Sequence, residues 1–262
     1  MYIADVASWT GPAPPSFVRV AGHPLRWRLL GELAHSDLRV RELVRLVGQP
    51  QNLVSYHLGR LRAARLVGVR RSTFDARDAY YYLDLVSCAD ALAAAGLALH
   101  PGLRMAPVPP AGPARPHRVL FVCTGNSARS PVAEALLRQR AGQIEVASAG
   151  SHPKPLHPNT VRVLAEYGIG LTGRVPQHLG TFEGARFDYV ITLCDRVREV
   201  CPEFPGAGPK VHWSIPDPAA AGGTDADTYP AFKRMAADLS GRIGFLLAAL
   251  SADPVPAAGQ EV

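Results

Sequence analysis

Apolar positions in the first hundred residues repeat at helical spacing and then give way to runs of strand type. Leu25, Leu29, Leu30 and Leu33 share one helical face, and Val40, Leu43, Val44 and Val47 make a second, short helix closed by Gly48 in left-handed conformation. After the turn Gln49-Pro50, the segment 51–61 buries Leu53, Val54, His57 or Leu58, and Leu61. It turns Gln51, Asn52, Ser55, Tyr56 and Arg60 outward. Two β-rich runs follow, Leu66 to Arg71 and Tyr80 to Leu85, joined by polar Ser72 to Asp78, which predicts a hairpin. Beyond residue 116 the pattern changes again. Val119 to Val122 form an apolar run suited to a buried parallel strand, which ends in Cys123 and leads to a helical pattern at Val132, Ala135 and Leu136. Phe187 to Leu193 reads as another strand of the same kind, ending in Cys194.

At 262 residues the chain has the length for two cores. The pattern divides it into a tail at 1–15, a winged helix-turn-helix of α+β type at 16–100, a linker at 101–116, an α/β domain at 117–251 and a tail at 252–262. The linker holds six prolines, from Pro101 to Pro116, and reads as a semi-rigid extended spacer. Charge divides along with pattern. Residues 16–88 hold 12 arginines against 6 acidic residues, whereas 117–262 hold 14 of each sign, so the net +6 of the chain lies in the first domain. Because the chain has only 3 lysines, a base-composition bias accounts for arginine over lysine, but not for this asymmetry. An arginine-rich small domain suggests a polyanion partner such as duplex DNA. The outward residues Gln51, Asn52, Ser55, Tyr56 and Arg60 are types that bond base edges or phosphates from a helix in the major groove. Four cysteines, no signal peptide and no apolar run of membrane-spanning length point to a reducing cytoplasm and no membrane association. No metal-ligand spacing stands out among the 9 histidines.

The densest chemistry lies in Cys123-Thr124-Gly125-Asn126-Ser127-Ala128-Arg129-Ser130. A strand–loop–helix unit gathers backbone N–H groups into one concavity at the positive end of a helix, which suits a tetrahedral oxyanion. That field favours the thiolate of a cysteine at its mouth, and Arg129 adds a planar fork for two anion oxygens. The Cys-x5-Arg-Ser loop resembles that of the low-molecular-weight tyrosine phosphatase superfamily, which includes the thioredoxin-coupled arsenate reductases. The likeness runs from 117 to about 250 through Ser148-Ala149-Gly150, the strand before Cys194 and Asp217-Pro218. It implies a four-stranded parallel sheet with helices on both faces, Cys123 as nucleophile, Arg129 as anion clamp and Asp217 as general acid.

Cys194 and Cys201, seven residues apart, separate the branches of that superfamily. A phosphatase needs one cysteine, whereas a reductase must deliver two electrons. Ligands of open parallel sheets bind beyond the carboxyl ends of the strands, so Cys194 should share an edge with Cys123. The resemblance implies a relay in which Cys123 attacks arsenate, Cys194 attacks Cys123 and releases arsenite, and Cys201 attacks Cys194. Ala219 and Ala220 follow the acid motif where phosphotyrosine phosphatases tend to place aromatic residues, which also favours arsenate. No tightly bound cofactor is implied, but a thioredoxin-like protein or a thiol must supply electrons. Two other readings stand beside this one: a tyrosine phosphatase fused to a regulator, with Cys194 and Cys201 protecting against oxidation, and a regulator with an anion-sensing, weakly active domain. Some reductases of the family hold a potassium ion beside the loop. Asn126, Glu134 and Ser148 match its positions, but Val175 and Gln177 stand where oxygen ligands would be needed, so a hydrogen-bond network centred on Asn126 is the expectation.

Val54-Ser55-Tyr56-His57-Leu58 and Leu66-Val67 resemble the ArsR family of winged-helix repressors. That likeness implies a homodimer on an inverted-repeat operator. The arsenic-sensing members carry a Cys-x-Cys pair where this chain has Arg39 and Arg41, so their metalloid site is missing, and Cys88 alone cannot replace it. An inducing signal would then have to enter through the second domain.

Overall fold

Pro24 and Gly48 frame the first helical pair in the computed structural model, which describes residues 13–103, 117–171, 173–200, 210–220 and 222–252. Residues 1–12 and 253–262 of the two tails, the linker from 104 onward and Cys201 lie outside the described residues. A short α1 (Ser16–Ala21) precedes α2 (Pro24–His35), which starts on a proline and is capped by the His23 ring accepting from the Leu25 N–H at 3.1 Å. Helix α3 (Val40–Val47) stops where Gly48 takes a φ of 64°, and α4 (Gln51–Ala63) follows Pro50. Strand β1 (Leu38–Arg39) and the hairpin strands β2 (Val67–Arg71) and β3 (Ala79–Leu83) form a small sheet in the order β1-β3-β2. Leu29, Leu43, Val54, Leu58, Leu61 and Tyr80 are fully buried at its centre.

Two expectations need correcting here. Leu53 is 37 % exposed, because the inner face of α4 is filled by Val54, His57, Leu58 and Leu61. The second β-run ends at Leu83 rather than Leu85, since the Asp84 carboxylate accepts from the Ser87 N–H and caps a new helix, α5 (Leu85–Leu99).

The second domain is a parallel sheet in the order β5-β4-β6-β7, built from β4 (Arg118–Cys123), β5 (Glu145–Gly150), β6 (Tyr189–Thr192) and β7 (Lys210–His212). Central β4 is covered on both sides, and Val119 to Val122 have no exposure, which explains why its sequence is a continuous apolar run. Helices α6 (Arg129–Arg140), α7 (Pro158–Glu166), α8 (Asp195–Val200) and α9 (Asp225–Ala252), with a 3-10 turn at Leu179–Phe182, complete the described elements of this domain. No helix among the described residues is long and apolar enough to cross a membrane.

The domains are docked directly. Asp37, almost wholly buried, sets both carboxylate oxygens on the Arg242 guanidinium at 2.9 and 3.2 Å and accepts the Ser214 N–H at 2.8 Å. Its own N–H donates to the His212 carbonyl at the end of edge strand β7. Arg70 of the hairpin reaches the Ser214 carbonyl and Asp238 at 2.8 and 2.7 Å. Helix α8 is gripped as well: Arg198 donates to the Asp37 carbonyl and to Glu42, while Glu199 pairs with Arg39 and accepts from the Tyr80 hydroxyl. Arg39, which with Arg41 stands where the arsenic-sensing relatives have cysteines, is thus structural, and both it and the half-exposed Arg41 pair with Asp78.

Candidate active site

The loop from Cys123 to Ser130 joins the carboxyl end of β4 to the first turn of α6. Its outer side is tied down. The carbonyls of Thr124, Gly125 and Ser127 accept N–H groups of His152, Lys154 and His157 at 2.8, 2.9 and 3.1 Å. In a trans peptide the next N–H points opposite the carbonyl, so these tethers turn the loop amides inward. The Asn126 N–H accordingly lies 3.3 Å from the Cys123 sulfur. Asn126 itself has a φ of 45°, a left-handed conformation that asparagine tolerates better than most residues. Gly150 runs directly beneath: a Cβ there would stand 2.7 Å from the Thr124 carbonyl oxygen and 2.8 Å from the Asn126 nitrogen.

Cys123 is 2 % exposed and its sulfur is also 3.0 Å from the Ser130 hydroxyl, so two hydrogen-bonding groups converge on it. Arg129 is buried and fixed by the Ile215 carbonyl at 3.2 Å and the Asp217 carboxylate at 3.0 Å. Its Nε has no hydrogen-bond partner among the described residues, a free donor of the kind a bound anion satisfies. Asp217 remains partly open, with 42 % of its side chain exposed. Cys123, Arg129 and Asp217 line a cavity of about 640 Å³, whose wall also includes Cys194, Ala219 and Ala220.

Cys194 is 2 % exposed and lies 3.2 Å from the Thr124 hydroxyl. Burial pushes its thiol above the usual range, with Arg129 and the Thr124 hydrogen bond pulling the other way. The sheet edge thus brings Cys123, Cys194 and Asp217 to one cavity with Thr124, Gly125, Ser127, Ala128 and Arg129, while the expected Asn126 and Ser130 are buried behind it. Cys201 has no described position.

Beneath the loop, the Asn126 side-chain amide donates to Ser130 and Ser148 at 2.9 and 2.6 Å, and its carbonyl accepts the Gln177 N–H at 2.8 Å. The neighbouring Glu134 is almost fully buried and pairs with the guanidinium of Arg174, which also donates to Ser148 at 2.7 Å. An arginine therefore fills the ground between Glu134 and Ser148 where the sequence left a cation site open. Lys154, His157, Arg196 and Thr73 also line the cavity, and sequence reasoning named none of them as site residues. Lys154 and His157 follow the Ser-Ala-Gly strand closely enough for local sequence to have suggested them; Thr73 carries no such signal.

In the first domain Gln51, Asn52, Ser55, Tyr56 and Arg60 are all exposed on one side of α4. His57 is buried, stacked at 4.4 Å on His23, and belongs to the packing. Cys88 is half-buried in α5, and burial, with a smaller push from Asp84, raises its thiol to about 11. Among the described residues no group of three or more His, Cys, Asp or Glu is placed to hold a metal ion.

A winged-helix regulator domain is joined here to an α/β domain whose anion loop presents a cysteine, an arginine and a facing aspartate. The family model for low molecular weight phosphotyrosine protein phosphatase matches residues 118–255, more than half of the chain, and the chain belongs to that family. A second model, for the MarR family, matches residues 23–78; the winged-helix reading holds, with MarR in place of the ArsR likeness. The arsenate reductase of Halalkalibacterium halodurans is 35 % identical over 126 residues, covering 48 % of this chain and 91 % of that protein. The arsenate reductase of Bacillus subtilis is 33 % identical over 126 residues, with the same coverage, 48 % and 91 %. A solved thioredoxin-dependent arsenate reductase of Corynebacterium glutamicum aligns over 85 % of this chain and 96 % of its own, at 23 % identity and a TM-score of 0.41.

Proposed function

We propose that this protein is a DNA-binding regulator fused to an arsenate reductase that works by a cysteine relay and serves in arsenic resistance. The observation that carries the enzyme half is a second thiol, Cys194, in the wall of the anion cavity, hydrogen-bonded to the loop residue Thr124. The Cys123 thiolate attacks As(V) in arsenate held by the loop amides and Arg129, and Asp217 protonates the departing oxygen, which leaves as water. Cys194, losing its proton, attacks the Cys123 sulfur. A disulfide forms, the S–As electron pair stays on arsenic, and arsenite departs. Cys201 then attacks Cys194 and frees Cys123, and a dithiol reductant of thioredoxin type reduces the Cys194–Cys201 disulfide.

Cys194→Ser should stop thioredoxin-driven arsenate reduction while slow aryl phosphate hydrolysis continues, because hydrolysis needs only Cys123, Arg129 and Asp217. Steady-state assays of both reactions decide the matter. Normal arsenate turnover in this variant would end the relay reading, and rapid phosphate hydrolysis with no arsenate reduction in the native chain would make the protein a phosphatase.

The regulator half is supported by the exposed polar side of α4. Dimerisation is supported by α5, where Val86, Leu92, Leu97 and Leu99 are between 40 and 77 % exposed, an apolar surface that a second copy would cover. The protein should bind an inverted repeat as a dimer, losing at least about tenfold in affinity from 50 to 200 mM salt as counterions are released. Substituting Gln51 or Ser55 should relax sequence preference more than it lowers nonspecific binding. A mobility-shift titration showing equal affinity for random duplex would refute this half.

A further inference from the structure

We propose that Thr73, at the hairpin tip of the DNA-binding domain, is a positioning residue for Cys194, so that the regulator domain completes the redox half of the active site. The proposal rests on the relay reading above. Thr73 lines the same cavity as Cys123 and Cys194. Its backbone N–H and its hydroxyl both donate to one oxygen of Asp195, at 2.7 and 3.0 Å. Asp195 is the residue directly after Cys194 and the first of α8, and it is 1 % exposed. Its other oxygen takes a hydrogen bond from the buried His212 ring at 3.1 Å.

The carboxylate is thus clamped between two domains. One jaw is strand β7 of the catalytic domain; the other is the hairpin tip. The tip is itself fixed, since the Ser72 hydroxyl accepts the N–H groups of Phe74 and Asp75 at 3.1 and 3.2 Å and the Ser72 N–H donates to the Asp78 carbonyl at 2.9 Å. Burial works against the charge of Asp195, but the bonds from His212, Thr73 and Ser214 outweigh it and hold the carboxyl down at about 2. The anchor is therefore ionised at neutral pH.

The chemistry gives this anchor a task. In the second displacement the Cys194 sulfur must approach Cys123 in line with the S–As bond, and reactions of this kind are sensitive to misplacements of an ångström. Cys194 sits at the junction of β6 and α8, where its sulfur meets the Thr124 hydroxyl and the Val197 N–H of α8, so its direction follows the first turn of the helix that Asp195 anchors. The first displacement, at Cys123, uses a loop that Thr73 bonds nowhere.

The test uses the full chain with Thr73→Val, which keeps the shape and the backbone bond but removes the hydroxyl donor, and Thr73→Ser, which restores that donor. Valine should lower kcat for thioredoxin-driven arsenate reduction about tenfold, the rate equivalent of one lost hydrogen bond to a carboxylate. The KM for arsenate and the rate of aryl phosphate hydrolysis should stay within about twofold of the native values, and serine should recover most of kcat. Native kcat in Thr73→Val, or a parallel fall in hydrolysis, or no recovery with serine, would overturn the assignment. Cys194→Ser, assayed alongside, separates the two readings. If it is inactive and Thr73→Val is normal, only the role of Thr73 falls. If Cys194→Ser reduces arsenate normally, the relay falls and the proposal goes with it.

Discussion

Cys123→Ser should abolish arsenate reduction and aryl phosphate hydrolysis together, by about 10⁴-fold or more. The loop is built around the sulfur: the Asn126 N–H and the Ser130 hydroxyl lie 3.3 and 3.0 Å from it. Sulfur is the stronger nucleophile of the two, and a serine hydroxyl stays protonated at neutral pH and cannot take its place. The fold should persist, because the smaller oxygen meets the same hydrogen-bonding groups, and phosphate binding followed by calorimetry should remain. Retained binding with lost turnover separates a missing nucleophile from a collapsed site. Arg129→Lys should also lose about 10²-fold, since one ammonium cannot reproduce the fork that holds Ile215 and Asp217 while keeping Nε free. Near-native turnover in Cys123→Ser would remove the catalytic assignment altogether.

Asp37→Ala should destabilise the chain by about 3 kcal/mol, the typical cost of breaking a buried ion pair from one side. Arg242 packs over the Trp213 and Tyr82 rings. Burial works against its charge, but Asp37 and then Asp238 outweigh it and keep the guanidinium ionised. Alanine leaves Asp238 as the remaining ion-pair partner and strands the Ser214 N–H that Asp37 accepts. Since this pair joins the domains, its loss should also split unfolding into two transitions. Urea denaturation followed by tryptophan fluorescence and circular dichroism measures both effects. A midpoint unchanged from the native chain would mean that the domains do not dock in solution as described here.

The linear pattern was enough for the elements nearest the chemistry. A fully buried parallel strand must be apolar throughout, so Val119 to Val122 announced β4, and Gly48 announced the end of α3 because few other residues accept its backbone. The Cys-x5-Arg-Ser spacing announced an anion loop because such a loop is local: a strand end, a turn and a helix start placed within eight residues. Leu53 went the other way. Its apolar type argues for burial, but the inner face of α4 has room only for the four side chains that fill it. The cap at Asp84 was likewise missed, since an aspartate after a β-run reads equally well as a turn residue.

What the sequence determined by itself is everything set by neighbours along the chain: two domains of different charge and pattern, an anion loop, a polar helix face, and a proline-rich join between them. The tertiary structure alone decided what lies across long separations. Arg174 with Glu134, Asp37 with Arg242 and Thr73 with Asp195 stand 40, 205 and 122 residues apart. Each is an ordinary surface-type residue in its own segment and acquires a partner only when two elements pack. The linker reading suggested domains merely kept near one another. Burial of charged pairs at the interface, which no local pattern encodes, instead joins the hairpin of one domain to the sheet edge that carries Cys194 in the other.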